Sequence, residues 1–350
     1  MIWIFIVWPK GFDAMNACFA PGVAGLLSPL QDFLDDSEVS EILINRPKEV
    51  FVERCGVMLR FKLPVLTPHF LRRLFMLIAN ENKQTLSETS PLLSGNLSDG
   101  SRVQLVIPEA SQHEALSIRK FTPQDLGFDE YARQGFFSGT HETIEPDLIL
   151  KSLYEARDWQ QFLTTAIHAK KNIIISGATS SGKTTFLNAC VALIPHEERL
   201  ITLEDTYEIK VPHLNIVRLK ALKQMSDRSS GVSMQDLVQA SLRLRPDRII
   251  MGEIRGKEIF DFVSACSTGH NGSFATLHAD HPKMAFMRMA QLYKLNNVPG
   301  MLDADIHHIL HEVIDIIVQL KKTPHGRQMT EVYYKDVEHR EPCAQRMEKR

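Results

Sequence analysis

One stretch constrains this chain more than any other. Gly177-Ala178-Thr179-Ser180-Ser181-Gly182-Lys183-Thr184, followed by Thr185, is preceded by the apolar run Ile173-Ile174-Ile175 and followed by a helical pattern over residues 184–193. Strand, glycine loop and helix in that order give G-x-x-x-x-G-K-[ST] its proper context, which disfavours a plain strand-to-helix turn. Glycines let backbone amides curl around a phosphate, and the helix N-terminus adds partial positive charge. Lys183 can reach β- and γ-phosphates, and the Thr184 hydroxyl is a magnesium ligand by type. The expected ligands are ATP and Mg2+.

At 350 residues the chain exceeds one typical core, so two domains are expected. Residues 15–121 read as a small α+β domain. It holds a short helix over 26–34, strands over 41–45 and 49–53 around Arg46-Pro47, a helix opening at Thr67-Pro68, and strands over 102–107 and 116–121. Phe70, Leu71, Leu74, Phe75, Leu77 and Ile78 fall at helical spacing, while 94–100 reads as turn. An antiparallel sheet with helices on one side follows from that order. Residues 122–147 form the expected linker. From 148 to 338 the pattern alternates: helix over 148–170, strands over 172–176, 199–203, 248–251 and 273–277, helix over 233–244, and a closing hairpin of 314–320 with 329–334. This is the signature of an α/β fold with a mostly parallel sheet covered on both faces. Residues 339–350 read as a charged tail.

Composition narrows the class. Hydrophobic residues at 44% and charged residues at 23% describe a globular chain. Forty Lys and Arg against 42 Asp and Glu leave a net charge of -2, so nucleic-acid contact would need a local patch. The run Arg218, Lys220, Lys223 and Arg228, broken by Asp227, is the one candidate, and a solvated face is the preferred reading. Cys18, Cys55, Cys190, Cys266 and Cys343 are odd in number and widely spaced, which fits a reducing, cytoplasmic setting. The leading octapeptide M-I-W-I-F-I-V-W is apolar but ends at Pro9, short of a membrane span and without the basic start of a signal peptide. Two readings stand for residues 1–14: a start at Met15 with the preceding segment not native, or a short interfacial membrane anchor.

Hydrolysis needs a group that orients water and a cation that meets charge developing on the γ-phosphate. The strand 248–251 runs through Gly252 into Glu253, the candidate for activating water, against the reading of a solvated carboxylate at a strand end. Glu204 and Asp205 follow the strand 199–203, and carboxylates there can hold magnesium through water. His270, between Gly269 and Gly272, and His278, beyond the next strand, are candidates for contacting the γ-phosphate, with capping or core roles as the alternatives. A metal set of His278, Asp280 and His281 lacks a further ligand, and His307, His308 and His311 read as helix-surface residues.

Taken together, G-A-T-S-S-G-K-T (177–184), I-T-L-E-D-T-Y-E (201–208), R-P-D-R-I-I-M-G-E-I-R (245–255) and G-H-N-G-S-F-A-T-L-H-A (269–279) resemble the secretion-superfamily ATPases that power type II and type IV secretion, type IV pili and conjugation. E-I-L-I-N-R-P-K-E-V-F-V-E-R (41–54) and G-S-R-V-Q-L-V-I-P (100–108) look like the type IV secretion branch, and the tetracysteine insert of type II members is missing. The resemblance implies a C-terminal RecA-like P-loop NTPase domain, a smaller N-terminal α+β domain that covers the nucleotide, and a homo-hexamer. It further implies inner-membrane components of a type IV secretion channel as partners, a secreted protein or DNA as substrate, and a peripheral place at the cytoplasmic face of the inner membrane. Arg102 and Arg119 occupy the strands from which the family's arginines face the γ-phosphate, and Arg255 is a further phosphate-facing candidate. Ordinary strand-edge cations are the alternative for the first two. Ala178, Ser180 and Ser181 vary the loop interior, and Asn271 stands where the branch commonly has proline.

Other nucleotide-binding classes fit less well. Asn82-Lys83-Gln84-Thr85 lacks the Asp of a GTPase base-reading motif and precedes the loop, and Leu93-Ser94-Gly95-Asn96 is an incomplete, misplaced transporter signature. A nucleotide-gated scaffold without turnover is the reading from a different class, and Glu253 argues against it.

Overall fold

The computed structural model describes residues 22–121, 127–133, 135–139, 145–222 and 231–338. The apolar segment 1–14, Met15, parts of the linker, Lys223, Asp227, Arg228, and the tail 339–350 lie outside the described residues.

The chain opens with α1 (Val23–Leu27), a 3-10 turn (Ser28–Leu30) and α2 (Gln31–Asp35). Strands β1 (Val39–Ile44), β2 (Glu49–Arg54) and β3 (Val57–Lys62) precede α3 (Pro68–Glu81). With β4 (Leu92–Asn96), β5 (Arg102–Val106) and β6 (Ala115–Arg119) they form an antiparallel sheet ordered β3-β2-β1-β6-β5-β4. Thr67 caps α3 by accepting the Phe70 amide at 3.2 Å, and Pro68 sits where a missing amide costs nothing. Leu71, Leu74, Phe75 and Ile78 then pack with Ile42, Val52, Val103 and Ile118 in one core on this face of the sheet.

Further along come α4 (Phe128–Arg133), a 3-10 turn (Phe136–Gly139), α5 (Glu145–Ala156) and α6 (Trp159–His168), then β7 (Ile173–Gly177) and α7 (Lys183–Val191). β8 (Leu200–Glu204), β9 (Ile216–Lys220), α8 (Met234–Leu242) and β10 (Arg248–Met251) follow. The chain continues through α9 (Glu258–Ser267), β11 (Phe274–Leu277), α10 (Pro282–Lys294) and α11 (Asp303–Val313), and closes with β12 (Ile316–Thr323), β13 (Gly326–Tyr334) and α12 (Lys335–Glu338). The helix expected over 148–170 is two helices, because Arg157 takes φ 56° and Asp158 caps α6 through the Gln161 amide at 3.2 Å.

The described residues fall into two compact units, one within Met1–Thr122 and Pro195–Gly252, the other within Pro123–Ile194 and Glu253–Arg350. In the first, β8 pairs in parallel with β9 and β10. The segment 195–252 also docks on the N-terminal domain: Arg199 Nη1 donates to Asn45 Oδ1 at 2.6 Å, and the Lys220 amide to the Ala110 carbonyl at 2.8 Å. In the second unit, β7 lies between β11 and β12, parallel to both, with β13 antiparallel on β12. The fold class is α/β: a RecA-like P-loop domain with a smaller N-terminal α+β domain.

Candidate nucleotide site

β7 is buried along its length and delivers the glycine loop at its C-terminal end, with Leu320 of β12 opposite Gly177. That confinement explains the first glycine, since a Cβ on Gly177 would lie 2.6 Å from the Leu320 carbonyl oxygen and against Ser181 Oγ. Gly182 has φ 95° and N-caps α7 without a capping side chain, so the first-turn amides face the loop. Ala178, Thr179, Ser180 and Thr185 are exposed around it, and Ser180 also takes a left-handed φ of 63°. Ser181 Oγ is buried with no hydrogen-bond partner among the described residues, and Thr184 stands on the first helical turn. An orphaned hydroxyl inside a glycine loop fits a phosphate ligand, and the Thr184 hydroxyl fits that phosphate's magnesium.

Lys183 is buried, and its Nζ donates to the carbonyl oxygens of Gly177 at 2.8 Å and Ala178 at 3.0 Å, lying 3.4 Å from His278 Nδ1. Burial pulls its pKa below the usual lysine range; the Glu253 carboxylate opposes that shift and Arg255 adds to it. His278 joins the lysine to Glu253, its Nε2 standing 3.0 Å from Glu253 Oε1. With Lys183 donating to Nδ1, the ring proton belongs on Nε2, aimed at the carboxylate. The other oxygen, Glu253 Oε2, accepts from Arg255 Nη2 at 2.5 Å. The Ile254 amide donates to the Thr276 carbonyl at 2.9 Å, which lays this segment along β11 and brings Glu253 to the end where His278 emerges. Glu253 is 16% exposed, partly shielded yet open to a water.

Sequence reading missed one cation at the loop. Arg327, on β13, donates from Nε to the Ser180 carbonyl at 3.1 Å, and its Cδ would lie 2.9 Å from a Cβ on Gly182. No spacing signals it, because the contact depends on β12 pairing beside β7.

Other expected site residues have surroundings of their own. His270 lies at the far end of β11 from His278, because the strand runs parallel to β7 from Phe274 opposite Ile173; its amide and Nδ1 both contact the Ala265 carbonyl, at the end of α9. Glu204, in the first unit, is 2% exposed, and its oxygens accept from Thr202 Oγ1 at 2.9 Å, Arg218 Nη2 at 3.0 Å and the amides of Glu208 and Ile209 at 2.6 and 2.7 Å. Four donors fill its acceptor directions, so Glu204 organises the turn after β8. Asp205 beside it is exposed. Arg102 and Arg119, also in the first unit, are exposed and directly opposite each other in the β5–β6 register. Like charges so paired are destabilising, which argues for a role beyond stability.

The basic run is no open patch where it is described: Arg218 binds Glu204 and lies 4.7 Å over the Tyr207 ring. His281 accepts the Met284 amide as the cap of α10, and His311 stacks on Phe286 with ring centroids 3.8 Å apart. No group of His, Cys, Asp and Glu among the described residues could hold a metal ion by itself, and no described helix is long and apolar enough to cross a membrane.

A family model described as Type II/IV secretion system protein matches residues 27–349. The type IV secretion system protein VirB11 of Bartonella henselae is 35% identical over 328 residues, covering 88% of this chain and 91% of the relative. Protein VirB11 of Agrobacterium fabrum is 33% identical over 312 residues, covering 86% and 90%. Among solved structures, the VirB11 ATPase of the Brucella suis type IV secretion system, in complex with sulphate, matches with a TM-score of 0.84 at 33% identity, over 90% of this chain and 95% of that one. A phosphate loop, a shielded glutamate and the histidine that joins them thus sit in a chain that belongs to the Type II/IV secretion system protein family, as a type IV secretion ATPase of the VirB11 kind.

Proposed function

We propose that this ATPase works as a homo-hexameric ring at the cytoplasmic face of the inner membrane, hydrolysing ATP to drive transfer of a secreted protein or DNA, or assembly of a pilus, by a type IV secretion channel. The observation that carries the reading is the run Lys183–His278–Glu253–Arg255 at the phosphate loop. The loop amides and Lys183 bind the phosphates, exchanging the lysine's carbonyl partners for phosphate oxygens. Thr184, and Asp205 through water, would hold magnesium, which would supply Lewis-acid chemistry to the phosphates. Glu253, held at both oxygens, orients the attacking water and accepts its proton. His278 registers the position of Lys183 and passes it to Glu253 through one imidazole. Arg102 and Arg119 supply the cations that meet charge developing on the γ-phosphate, and loss of that phosphate releases them. The match to relatives named for type IV secretion, in Bartonella henselae and Brucella suis, supports the choice of machine.

Glu253→Gln keeps the size and one acceptor oxygen but cannot take a proton. It should bind ATP within about threefold of the parental affinity and lose about a hundredfold or more in turnover, read as steady-state phosphate release. Parental turnover in that variant would remove Glu253 from the role.

A further inference from the structure

The face of the N-terminal sheet opposite the helix-side core carries a row of charges. Glu53 on β2 pairs with Glu41 on β1, Glu41 with Arg119 on β6, and Arg119 with Arg102 on β5. A β-bulge puts Glu41 there. Val39 pairs with Arg54 and Glu41 with Glu53, so Ser40 is the extra residue; unbroken alternation would set Glu41 against Val52, a member of the helix-side core. Bulges are characteristic of places where a strand must re-aim a side chain.

Glu41 is 6% exposed, and its Oε2 has no hydrogen-bond partner among the described residues. Burying a carboxylate with one oxygen unpaired is unfavourable, so the position calls for a reason in the other oxygen. Oε1 lies 3.7 Å from Arg119 Nε, while the Arg119 side chain remains 72% exposed. The remaining charged groups around Glu41 have partners of their own, although Arg199 Nη2 has none among the described residues. Arg245 pairs with Glu53 and with Asp247, and the guanidinium of Arg199 donates to Asn45, Asn215 and the Leu244 carbonyl. Glu41 therefore makes a long ion pair with Arg119 at the inner edge of its guanidinium, which offsets the repulsion from Arg102 across the next strand.

We propose that Glu41 is a positioning residue for Arg119, holding that guanidinium by Nε so that its outer nitrogens are presented to the nucleotide. The proposal rests on the reading of Arg119 as a γ-phosphate cation. The carboxylate has to be ionised to hold Arg119, and burial raises its pKa to about 7, with Arg119, Arg245 and Arg199 opposing the shift and Glu53 adding to it. The grip therefore tightens as pH rises through neutrality.

The test is steady-state hydrolysis by the full chain at pH 6 and pH 8. Glu41→Gln should lower kcat about fivefold at pH 8 with KM for ATP within about twofold, and the deficit should shrink towards parity at pH 6. In an Arg119→Ala background the same substitution should change nothing further, because a positioning residue acts only through what it positions. Should Glu41→Gln fail to fold, as judged by its melting transition, Glu41→Asp carries the test, keeping the charge one methylene farther from Nε with the same expected loss at pH 8. Parental kcat in Glu41→Gln alongside a slow Arg119→Ala overturns the role of Glu41 and leaves Arg119 standing. A deficit that persists undiminished without Arg119 shows a merely structural Glu41 and overturns it too. Parental turnover in Arg119→Ala removes the γ-phosphate reading itself, and this inference with it.

Discussion

His278 touches both the group assigned to phosphate and the group assigned to water, with Nδ1 3.4 Å from Lys183 Nζ and Nε2 3.0 Å from Glu253 Oε1. Removing it takes away one of the two side chains described at the Glu253 carboxylate, and the other, Arg255, is largely exposed. His278→Ala should therefore cost about tenfold or more in kcat while nucleotide affinity changes less than about threefold, measured by phosphate release beside equilibrium binding. Glu41 makes a separate prediction about stability. Its carboxyl has a pKa near 4.5 when unfolded and about 7 when folded, because burial disfavours the charge. Between those values the folded chain holds a proton that the unfolded chain has lost, so stability falls as pH rises through that window. The contribution is at most about 1.4 kcal/mol per pH unit. Urea midpoints at pH 5 and pH 7 should show a decline in the parental chain that is reduced in Glu41→Gln; equal declines would mean that Glu41 is not the group responsible.

At the scale of elements, the loop is shaped by strands that are not adjacent to it in sequence. β12 brings Leu320 against Gly177, and β13 brings Arg327 against Ser180 and Gly182. Gly177→Ala would force a methyl group against the Leu320 carbonyl, a backbone atom that cannot step aside without disturbing the β7–β12 ladder. We expect a loss of about 1–3 kcal/mol in unfolding free energy together with weakened ATP binding. A neutral effect on both would show that the hairpin yields. Three strands escaped the sequence reading for local reasons. β3 has exposed and half-buried residues at most positions, so its alternation is weak. β4 contains Ser94 and Gly95, which read as turn, yet Gly95 is a ladder residue whose missing Cβ makes room for Asn82. β9 includes Arg218 and Lys220, and its charge masked a period-two pattern.

For the whole molecule, the proposed ring predicts a particle of about 240 kDa from chains of 39.8 kDa, formed or stabilised by ATP and measured by light scattering beside phosphate release. A monomer that hydrolyses ATP at full rate would overturn the ring and leave the site chemistry intact. Much of this chemistry was legible in the linear chain because it is local: a glycine loop, its lysine and its helix are consecutive residues, and strand periodicity brought Glu253 and His278 to strand ends. Spacing likewise gave the α/β class and the α+β character of the N-terminal domain. The roles of individual polar residues were not legible in that way. His270 and His278 are equivalent by motif but sit at opposite ends of one short strand, and the Glu204 carboxylate is filled by donors from β8, β9 and the turn after β8. Arg327 reaches the loop only because β12 runs beside β7, and Glu41 meets Arg119 only because one bulge shifts the register. Local chemistry follows from neighbours along the backbone, whereas a side chain's partner depends on which strands pair and in what register, and that is settled when the whole fold closes.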